Sequence, residues 1–243
     1  MKTIQLNFKQ QSCKQYINLN DLHLWCLKTS DFLNIINTKY IILSHEEKSI
    51  AEKFVYEKDF QRYCVSHILL RLVLEKYLNA DASSIKFKIN KWHKPYLKNN
   101  PLVFNLTHSN EVAIIAISRS GLLGVDVEYV KPTYSKELIS SFMNFAEQQY
   151  FKRLDSTEQI KYFYKCWTCK EAFIKAIGLG MSFPLKNIQT HINVQNKMEI
   201  LHINSNQFSH EDWFCTSLSA GKDYPVTAVT NFKPDPLYIT HKN

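Results

Sequence analysis

The distribution of glycine limits what this chain can fold into. All five glycines of the 243 residues lie at positions 121, 124, 178, 180 and 221, so the first 120 residues contain none. The glycine-rich loops that hold phosphates in dinucleotide-binding and P-loop folds cannot be built in that half. If a phosphorylated ligand binds, side chains and a metal ion must therefore do most of the holding.

The remaining composition predicts a soluble globular protein. Hydrophobic residues make up 45% and charged residues 21% of the chain, and no apolar run approaches the ~20 residues that a membrane span needs. The length predicts one large or two small domains. Residues 1–14 lack the apolar stretch and cleavage site of a secretory signal, so we expect a cytoplasmic location and no membrane partner.

The charge balance favours an anionic partner. Thirty Lys and Arg residues against 22 Asp and Glu residues leave a formal net charge of +8. Such a field attracts polyanions, nucleotides with several phosphates, or an acidic protein, and it does not select among them.

Alternation and capping signals predict the elements of the first half. They are a strand over 21–27, a helix over 44–55 with a capping box of Ser44 and Glu47, a helix over 58–77, and strands over 84–90, 102–106 and 112–118. Residues 91–95 are interpreted as a turn in which Pro95 ends the strand. Residues 108–110 are interpreted as a loop that His108 opens.

The second half repeats this outline. Its predicted elements are a strand over 124–130, helices over 138–150 and 156–177, and strands over 188–194, 198–203, 213–219 and 224–230. Ser156 and Gln159 suggest a capping box for the longer helix, and Gly178 and Gly180 end it. We therefore predict an α+β fold of two pseudo-symmetric halves, 1–120 and 121–243, each a small mainly antiparallel sheet packed with helices.

Two carboxylates lie side by side on the strand after the predicted junction. Asp126 and Glu128 are two residues apart, so their side chains leave one face of the strand while Val125 and Val127 point to the other. Adjacent carboxylates repel each other, which favours a bound cation or one raised pKa, and their hard oxygens suit Mg²⁺. A solvent-facing polar stripe fits the same spacing and, on spacing alone, is the more common arrangement.

The helix over 156–177 carries further charged groups beside Trp167. Glu171 lies one turn before Lys175, and a surface ion pair worth only about 0.3–0.5 kcal/mol explains that spacing. Alternatively, this third carboxylate, with Lys170 and Lys175, completes a metal site and neutralises phosphate.

Cys166 and Cys169 form a CxxC motif in the same helix. Redox motifs of this kind start at a helix N-terminus, which lowers a thiol pKa, whereas these cysteines lie inside the predicted helix and no second CxxC occurs. We interpret them, like the cysteines at 13, 26, 64 and 215, as reduced side chains that mostly pack.

Three segments occur together in the order and spacing of a known family. They are NLTH at 105–108, GVDVE at 124–128 and WTCKEA at 167–172. The chain resembles the 4′-phosphopantetheinyl transferases, in particular the long monomeric type that activates peptide and polyketide synthases. The resemblance covers roughly residues 44–185. It implies an enzyme that moves the phosphopantetheine arm of coenzyme A onto a serine of an apo acyl or peptidyl carrier protein and releases adenosine 3′,5′-bisphosphate.

The resemblance also implies a metal centre. It assigns Asp126, Glu128 and Glu171 to Mg²⁺, which would bridge the pyrophosphate of coenzyme A. Lys175 would stabilise or protonate the departing phosphate, and Glu171 is our preferred base for the carrier serine. Glu147 is a further acid expected near the metal.

Coenzyme A would be held by a cluster of basic and hydroxyl groups. The resemblance places Lys170, Thr107 and His108 at its phosphates, together with Lys175. Arg62 and Lys94 would complete the pocket for the adenosine 3′-phosphate.

The sequence departs from the family pattern in two positions and one segment. His93 stands where relatives usually have glycine, and Thr107 replaces a serine but keeps the hydroxyl. The segment 44–53, often basic in relatives, offers Glu47, Lys48, Ile50 and Lys53, so we expect different contacts to the 3′-phosphate.

Two other functions use the same residues. A metal-dependent phosphoesterase would employ these carboxylates with a positioned water and no carrier protein. A basic nucleic-acid-binding module would use the lysines for phosphates, but they are dispersed and form no known binding motif, so we expect no nucleic-acid partner.

Overall fold

The computed structural model describes residues 2–3, 16–235 and 237–241, so Cys13 and most of the opening segment lie outside the described residues. The α-helices in these ranges are α1 (Ile35–Lys39), α2 (His45–Ala51), α3 (Glu57–Leu78), α4 (Lys136–Phe142), α5 (Phe145–Phe151) and α6 (Ser156–Ile177). The strands are β1 (Lys2–Thr3), β2 (Leu22–Lys28), β3 (Phe87–Ile89), β4 (Pro95–Leu97), β5 (Val103–Ser109), β6 (Val112–Ser118), β7 (Leu123–Val127), β8 (Ile188–Ile192), β9 (Met198–Ile203), β10 (Phe214–Ser219), β11 (Pro225–Thr230) and β12 (Leu237–His241).

Two stacked sheets between two long helices form the body of the fold. The first sheet has the strand order β1-β12-β2-β6-β5, and the second has β10-β11-β7. The first sheet packs on α3 through one face and on the second sheet through the other. The far face of the second sheet packs on α6. This mixed architecture of small, mostly antiparallel sheets confirms the predicted α+β class.

Strand β2 shows why both faces of the first sheet are buried. Trp25 and Leu27 point to the core beneath α3, while Leu22 and Leu24 point to the core between the sheets. Because successive side chains of a strand alternate, a strand with apolar residues in both registers must be covered on both sides. The predicted strand over 21–27 is confirmed as β2, but both of its faces are buried.

The C-terminal strand crosses the predicted division of the chain. Strand β12 pairs in parallel with β2, with Leu237 opposite Leu22 and Ile239 opposite Leu24. The sheet of the first half therefore includes residues from the far end of the sequence. The division into residues 1–120 and 121–243 stays a prediction, with this one strand returning to the first sheet.

Two predicted helices begin or end differently from the sequence expectation. The capping box of Ser44 and Glu47 is present, since each side chain accepts the backbone N–H of the other, but α2 ends at Ala51 rather than at residue 55. The predicted box of Ser156 and Gln159 is wrong. Asp155 caps α6 instead, because its carboxylate accepts from the backbone N–H groups of the second and third helical residues.

The predicted helix over 138–150 is two helices. Asn144 interrupts it, since its side chain accepts the N–H of Glu147 while the Glu147 carboxylate accepts the N–H of Asn144. This second capping box starts α5 as a new helix, so α4 does not continue into it. Its sequence signature is an Asn followed three residues later by Glu.

The segment around Pro95 is a hairpin rather than a strand and a turn. Strands β3 and β4 are antiparallel, with Ile89 opposite Pro95, so Pro95 begins a strand, where its missing N–H is tolerated. His93 in the connecting turn has a φ of 64°. Such a left-handed conformation explains the preference for glycine at this position, and histidine adopts it more readily than most side chains.

The loop predicted at 108–110 is shorter than expected. Thr107, His108 and Ser109 are paired with β6, so His108 lies within β5 and does not open a loop. The turn consists of Asn110 and Glu111, and the φ of Asn110 is 49°. Among the described residues, none of the helices has the length and apolarity to cross a lipid bilayer.

Candidate active site

A ladder of side chains joins the edge strand β5 of the first sheet to β7 of the second. Asn105 Oδ1 accepts the backbone N–H of Val125 at 2.8 Å. Thr107 Oγ1 donates to Asp126 Oδ1 at 3.1 Å, and Ser109 Oγ donates to Glu128 Oε2 at 2.8 Å. The three donors or acceptors are two residues apart, so they share one face of β5. The carboxylates are thus fixed at the junction of the two sheets.

Asp126 is the buried centre of the site. Its Oδ1 accepts from Lys175 Nζ at 2.6 Å, and Lys175 also donates to Thr107 Oγ1 at 3.0 Å. Its Oδ2 is buried and has no hydrogen-bond partner among the described residues. Burial raises the pKa of Asp126 although Lys175 opposes the rise. The alternative of a solvent-facing stripe is therefore wrong for Asp126.

Glu128 and Glu171 extend the acidic centre. Burial raises the pKa of both carboxyl groups, and the neighbouring charge of Asp126 raises each pKa further. The predicted surface ion pair of Glu171 with Lys175 is replaced by the pair of Lys175 with Asp126. The charge of Asp126 thus acts on both Glu128 and Glu171, and Lys175 binds Asp126, so the four groups are neighbours. The metal-binding role of the three carboxylates stays a prediction.

These groups fit a hard cation by their chemistry. Among the described residues, no three His, Cys, Asp or Glu side chains are arranged so that they could hold a metal ion. However, Asp126 keeps an unpartnered buried oxygen, and the pKa values of all three carboxyl groups are raised even with the Lys175 ammonium beside them. Oxygen donors of this kind suit Mg²⁺.

A cleft of about 680 Å³ opens beside the acidic centre. Its walls come from both halves of the chain and consist of Arg62, His108, Ser109, Asn110, Glu128, Tyr129, Lys131, Thr133, Tyr134, Ser135, Leu138, Phe163, Tyr164 and Trp167. Arg62 also pairs with Asp59 at 2.6 Å. Burial, with the charges of Arg62, His67 and Lys175, lowers the pKa of His108 to about 4. His108 is therefore neutral at neutral pH and can donate one ring N–H to an anion.

Lys170 does not reach this cleft. It is fully buried, and its ammonium donates to Glu147 Oε2 at 2.6 Å and to the carbonyl of Phe142 at 2.8 Å. Glu147 in turn accepts from the backbone N–H and the hydroxyl of Thr190. Lys170 and Glu147 thus form a closed ion pair in the core. This position corrects two predictions, namely the contact of Lys170 with phosphate and the place of Glu147 beside a metal.

Lys94 is also turned away from the cleft. Its Nζ donates to the carbonyls of Leu123 and Ala176, at 3.0 Å each, and burial lowers its pKa to about 8. The side chain joins the last turn of α6 to the start of β7. The predicted contact of Lys94 with the 3′-phosphate is not supported by this position.

The cysteines of the CxxC motif lie in the interior of α6. Cys166 Sγ is 3.2 Å from Thr190 Oγ1, and Cys169 Sγ is 3.7 Å from Cys215 Sγ. Burial raises the pKa of Cys166 to about 12, so its thiol stays protonated. The prediction that these thiols pack is confirmed.

Sequence reasoning missed Asn105 and Ser109 as members of the site. Their signal was the repeat of a polar residue at every second position of a strand, NLTHS, which continues beyond Thr107. The polar side chains of NLTHS and the two carboxylates of GVDVE both recur at every second residue, which predicts the contacts of Thr107 with Asp126 and of Ser109 with Glu128. The bond from Asn105 to the backbone of Val125 lies outside this pattern.

Comparison with known proteins places the chain in a family. A family model described as the 4′-phosphopantetheinyl transferase superfamily matches residues 122–229, and one described as the N-terminal part of a 4′-phosphopantetheinyl transferase matches residues 25–120. The 4′-phosphopantetheinyl transferase HetI of Nostoc sp. is 30% identical over 168 residues, which are 67% of this chain and 71% of that protein. The 4′-phosphopantetheinyl transferase Sfp of Bacillus subtilis is 31% identical over 159 residues, which are 65% of this chain and 70% of that protein.

A solved structure, the holo-[acyl-carrier-protein] synthase (AcpS) from Neisseria meningitidis, is 18% identical with a TM-score of 0.38 and covers 44% of this chain and 94% of its own. The sequence matches settle the assignment. This chain belongs to the 4′-phosphopantetheinyl transferase superfamily, a family of transferase enzymes.

Proposed function

We propose that this protein transfers the 4′-phosphopantetheine arm of coenzyme A to a serine of an apo carrier protein. The serine oxygen attacks the phosphorus that bears the pantetheine, the bond from this phosphorus to the bridging oxygen breaks, and adenosine 3′,5′-bisphosphate leaves. The observation that carries the proposal is the acidic centre of Asp126, Glu128 and Glu171 with Lys175, in a member of this family.

Mg²⁺ is the proposed cofactor of this centre. Asp126, Glu128 and Glu171 would hold the ion, and its bound form supplies positive charge to the pyrophosphate oxygens. The raised pKa values of the three carboxyl groups support the proposal, because a cation would offset the burial that raises all three pKa values and the repulsion by Asp126 that further raises those of Glu128 and Glu171.

Lys175 is the proposed partner of the leaving phosphate. Its ammonium now binds Asp126 and Thr107. With a cation neutralising Asp126, the lysine can donate to a phosphate oxygen instead and stabilise the charge that develops there. Thr107 would then turn its single hydroxyl proton from Asp126 to the same anion.

The cleft beside the centre is the proposed binding place of coenzyme A. Arg62 and His108 line one wall, and both can donate hydrogen bonds to phosphate oxygens. Lys170 and Lys94 are not part of this proposal, because both ammonium groups are used inside the protein.

Glu171 is the proposed base for the carrier serine. It would accept the proton directly or through a water bound to the metal ion. The net charge of +8 supports an acidic carrier as partner. The monomeric state and the cytoplasmic location stay predictions.

The test is a transfer assay read by intact-protein mass spectrometry. An apo carrier incubated with this protein, coenzyme A and Mg²⁺ should gain the mass of the phosphopantetheine arm. Asp126→Asn and Glu171→Gln should abolish the gain, and Glu158→Gln, an exposed substitution on the same helix, should not. Turnover of coenzyme A in the absence of carrier would instead identify a phosphoesterase and contradict the proposal.

A further inference from the structure

Ser109 makes two hydrogen bonds at the point where β7 ends. Its Oγ donates to Glu128 Oε2 at 2.8 Å and accepts the backbone N–H of Tyr129 at 3.0 Å. A hydroxyl has a single proton. Since the N–H of Tyr129 already occupies an oxygen lone pair, that proton is directed at Glu128.

Backbone pairing alone does not fix Glu128. The paired part of β7 ends at Val127, opposite Val226. Beyond it, the N–H of Glu128 reaches the carbonyl of Pro225 only at 3.3 Å, a long hydrogen bond. The backbone pairs again at Val130, whose N–H donates to the carbonyl of Asp223 at 2.8 Å. Glu128 thus lies one residue past the end of β7, where Ser109 binds both its carboxylate and the next peptide N–H.

The partner strand is rigid at this point. Ser109 is paired with Val112 across the hairpin of β5 and β6. Thr107, two residues earlier, makes the equivalent bond to Asp126. The two hydroxyls on β5 thus have the same spacing as the two carboxylates. Strand β5 of the first sheet therefore positions both carboxylates at the end of β7 in the second sheet.

We propose that Ser109 is a positioning residue that holds Glu128 in the orientation required to share a divalent cation with Asp126 and Glu171. This inference rests on the proposed Mg²⁺ centre. Ser109 binds Oε2, and Trp167 provides a further side-chain hydrogen bond to the same carboxylate. Lone pairs that neither residue uses would be available to the ion. Groups that orient metal ligands in this way typically change metal affinity or activity by about 10–100-fold when removed.

The test compares two substitutions of equal shape. Ser109→Thr keeps the hydroxyl and Ser109→Val removes it, so packing effects cancel between them. Mn²⁺ binding, measured by electron paramagnetic resonance with coenzyme A present, should be about 10–100-fold weaker in Ser109→Val than in Ser109→Thr. The Mg²⁺ concentration for half-maximal transfer should rise in parallel, while the KM for coenzyme A changes much less.

Ser83→Ala provides the matched control. Ser83 also donates to a carboxylate, that of Asp81, but in an exposed turn, so its loss should leave Mn²⁺ binding unchanged. If Ser109→Val is poorly folded, Ser109→Ala is compared with wild type in the same way after its circular dichroism is checked.

Two outcomes overturn the inference, and they are distinguishable. Equal Mn²⁺ affinity of the Val and Thr variants, in a protein that binds Mn²⁺ and modifies the carrier, refutes the role of Ser109 and leaves the proposed function intact. Wild-type protein that binds no Mn²⁺ at any concentration tested refutes both the inference and the proposed metal centre.

Discussion

Replacing Lys170 by methionine should destabilise the fold without weakening the binding of coenzyme A. Lys170 is fully buried and its ammonium lies 2.6 Å from Glu147 Oε2, itself buried. Removing one partner of a buried ion pair leaves the other charge uncompensated and typically costs about 3–5 kcal/mol. The free energy of unfolding of Lys170→Met should therefore fall by about that amount.

The size of the chain converts this loss into a change of melting temperature. For a protein of 243 residues, each kcal/mol lowers the Tm by about 2–4 °C, so the expected decrease is about 6–20 °C. The double variant Lys170→Met with Glu147→Leu removes both charges and should regain only part of the stability, because the backbone N–H groups of Asn144 and Thr190 then lose their acceptor. Urea denaturation and thermal melts measure both effects.

The control is Lys161→Met, the same substitution in an exposed i,i+3 pair of α6, which should change stability little. The KM for coenzyme A of Lys170→Met, measured well below its Tm, should stay near the wild-type value because the ammonium faces the core. Unchanged stability together with a raised KM would refute the reasoning and would indicate that Lys170 binds the phosphates of coenzyme A.

Three further changes test other parts of the structure. Gly124→Ala should lower the free energy of unfolding, measured by urea denaturation, by about 1–3 kcal/mol or more and should reduce transfer. The reason is that the added Cβ would clash with the carbonyl oxygen of Ala172 on α6. Wild-type stability of this variant would show that α6 does not pack closely against β7 at Gly124. The pKa of His108 falls from 6.5 to about 4 on folding, so its contribution to stability is complete above pH 6.5 and is lost as pH falls towards 4. When the pH is lowered from 7 to 5, the unfolding free energy of wild type should therefore fall by about 1–2 kcal/mol more than that of His108→Gln. An equal fall in both proteins would contradict the burial of this ring. Replacing Cys166 and Cys169 together by serine should leave carrier modification detectable by mass spectrometry, because neither thiol contacts the acidic centre; complete loss in a folded variant would assign them a role in the reaction.

The sequence predicted those parts of the site that depend on local periodicity. Asp126 lies in β7 and Glu128 one residue past its end, while Glu171 and Lys175 lie one turn apart on α6, so each pair could be placed by its spacing alone. Which pairs then meet is a matter of tertiary packing. The sequence spacing favoured Glu171 as the partner of Lys175. In the structure α6 packs on β7, and Lys175 forms its ion pair with Asp126 instead.

The wrong predictions share a physical cause. Lys170 and Lys94 were assigned to phosphates because they are basic and close in sequence to the motifs. Both ammonium groups are instead used within the protein, where Lys170 neutralises Glu147 and Lys94 binds carbonyls at the end of α6. A charged side chain that balances a buried group or a helix end has the same sequence appearance as one that binds a ligand, and only the direction of the side chain separates the two.

The central claim is that Asp126, Glu128 and Glu171 converge on one divalent cation beside Lys175. A crystal structure with coenzyme A and Mn²⁺, with the ion located by its anomalous scattering, tests this most directly. The account predicts one strong peak within bonding distance of oxygens from all three carboxylates and of the pyrophosphate, with the Lys175 ammonium next to a phosphate oxygen. An ion bound elsewhere in the cleft, with Lys175 still paired to Asp126, would contradict it.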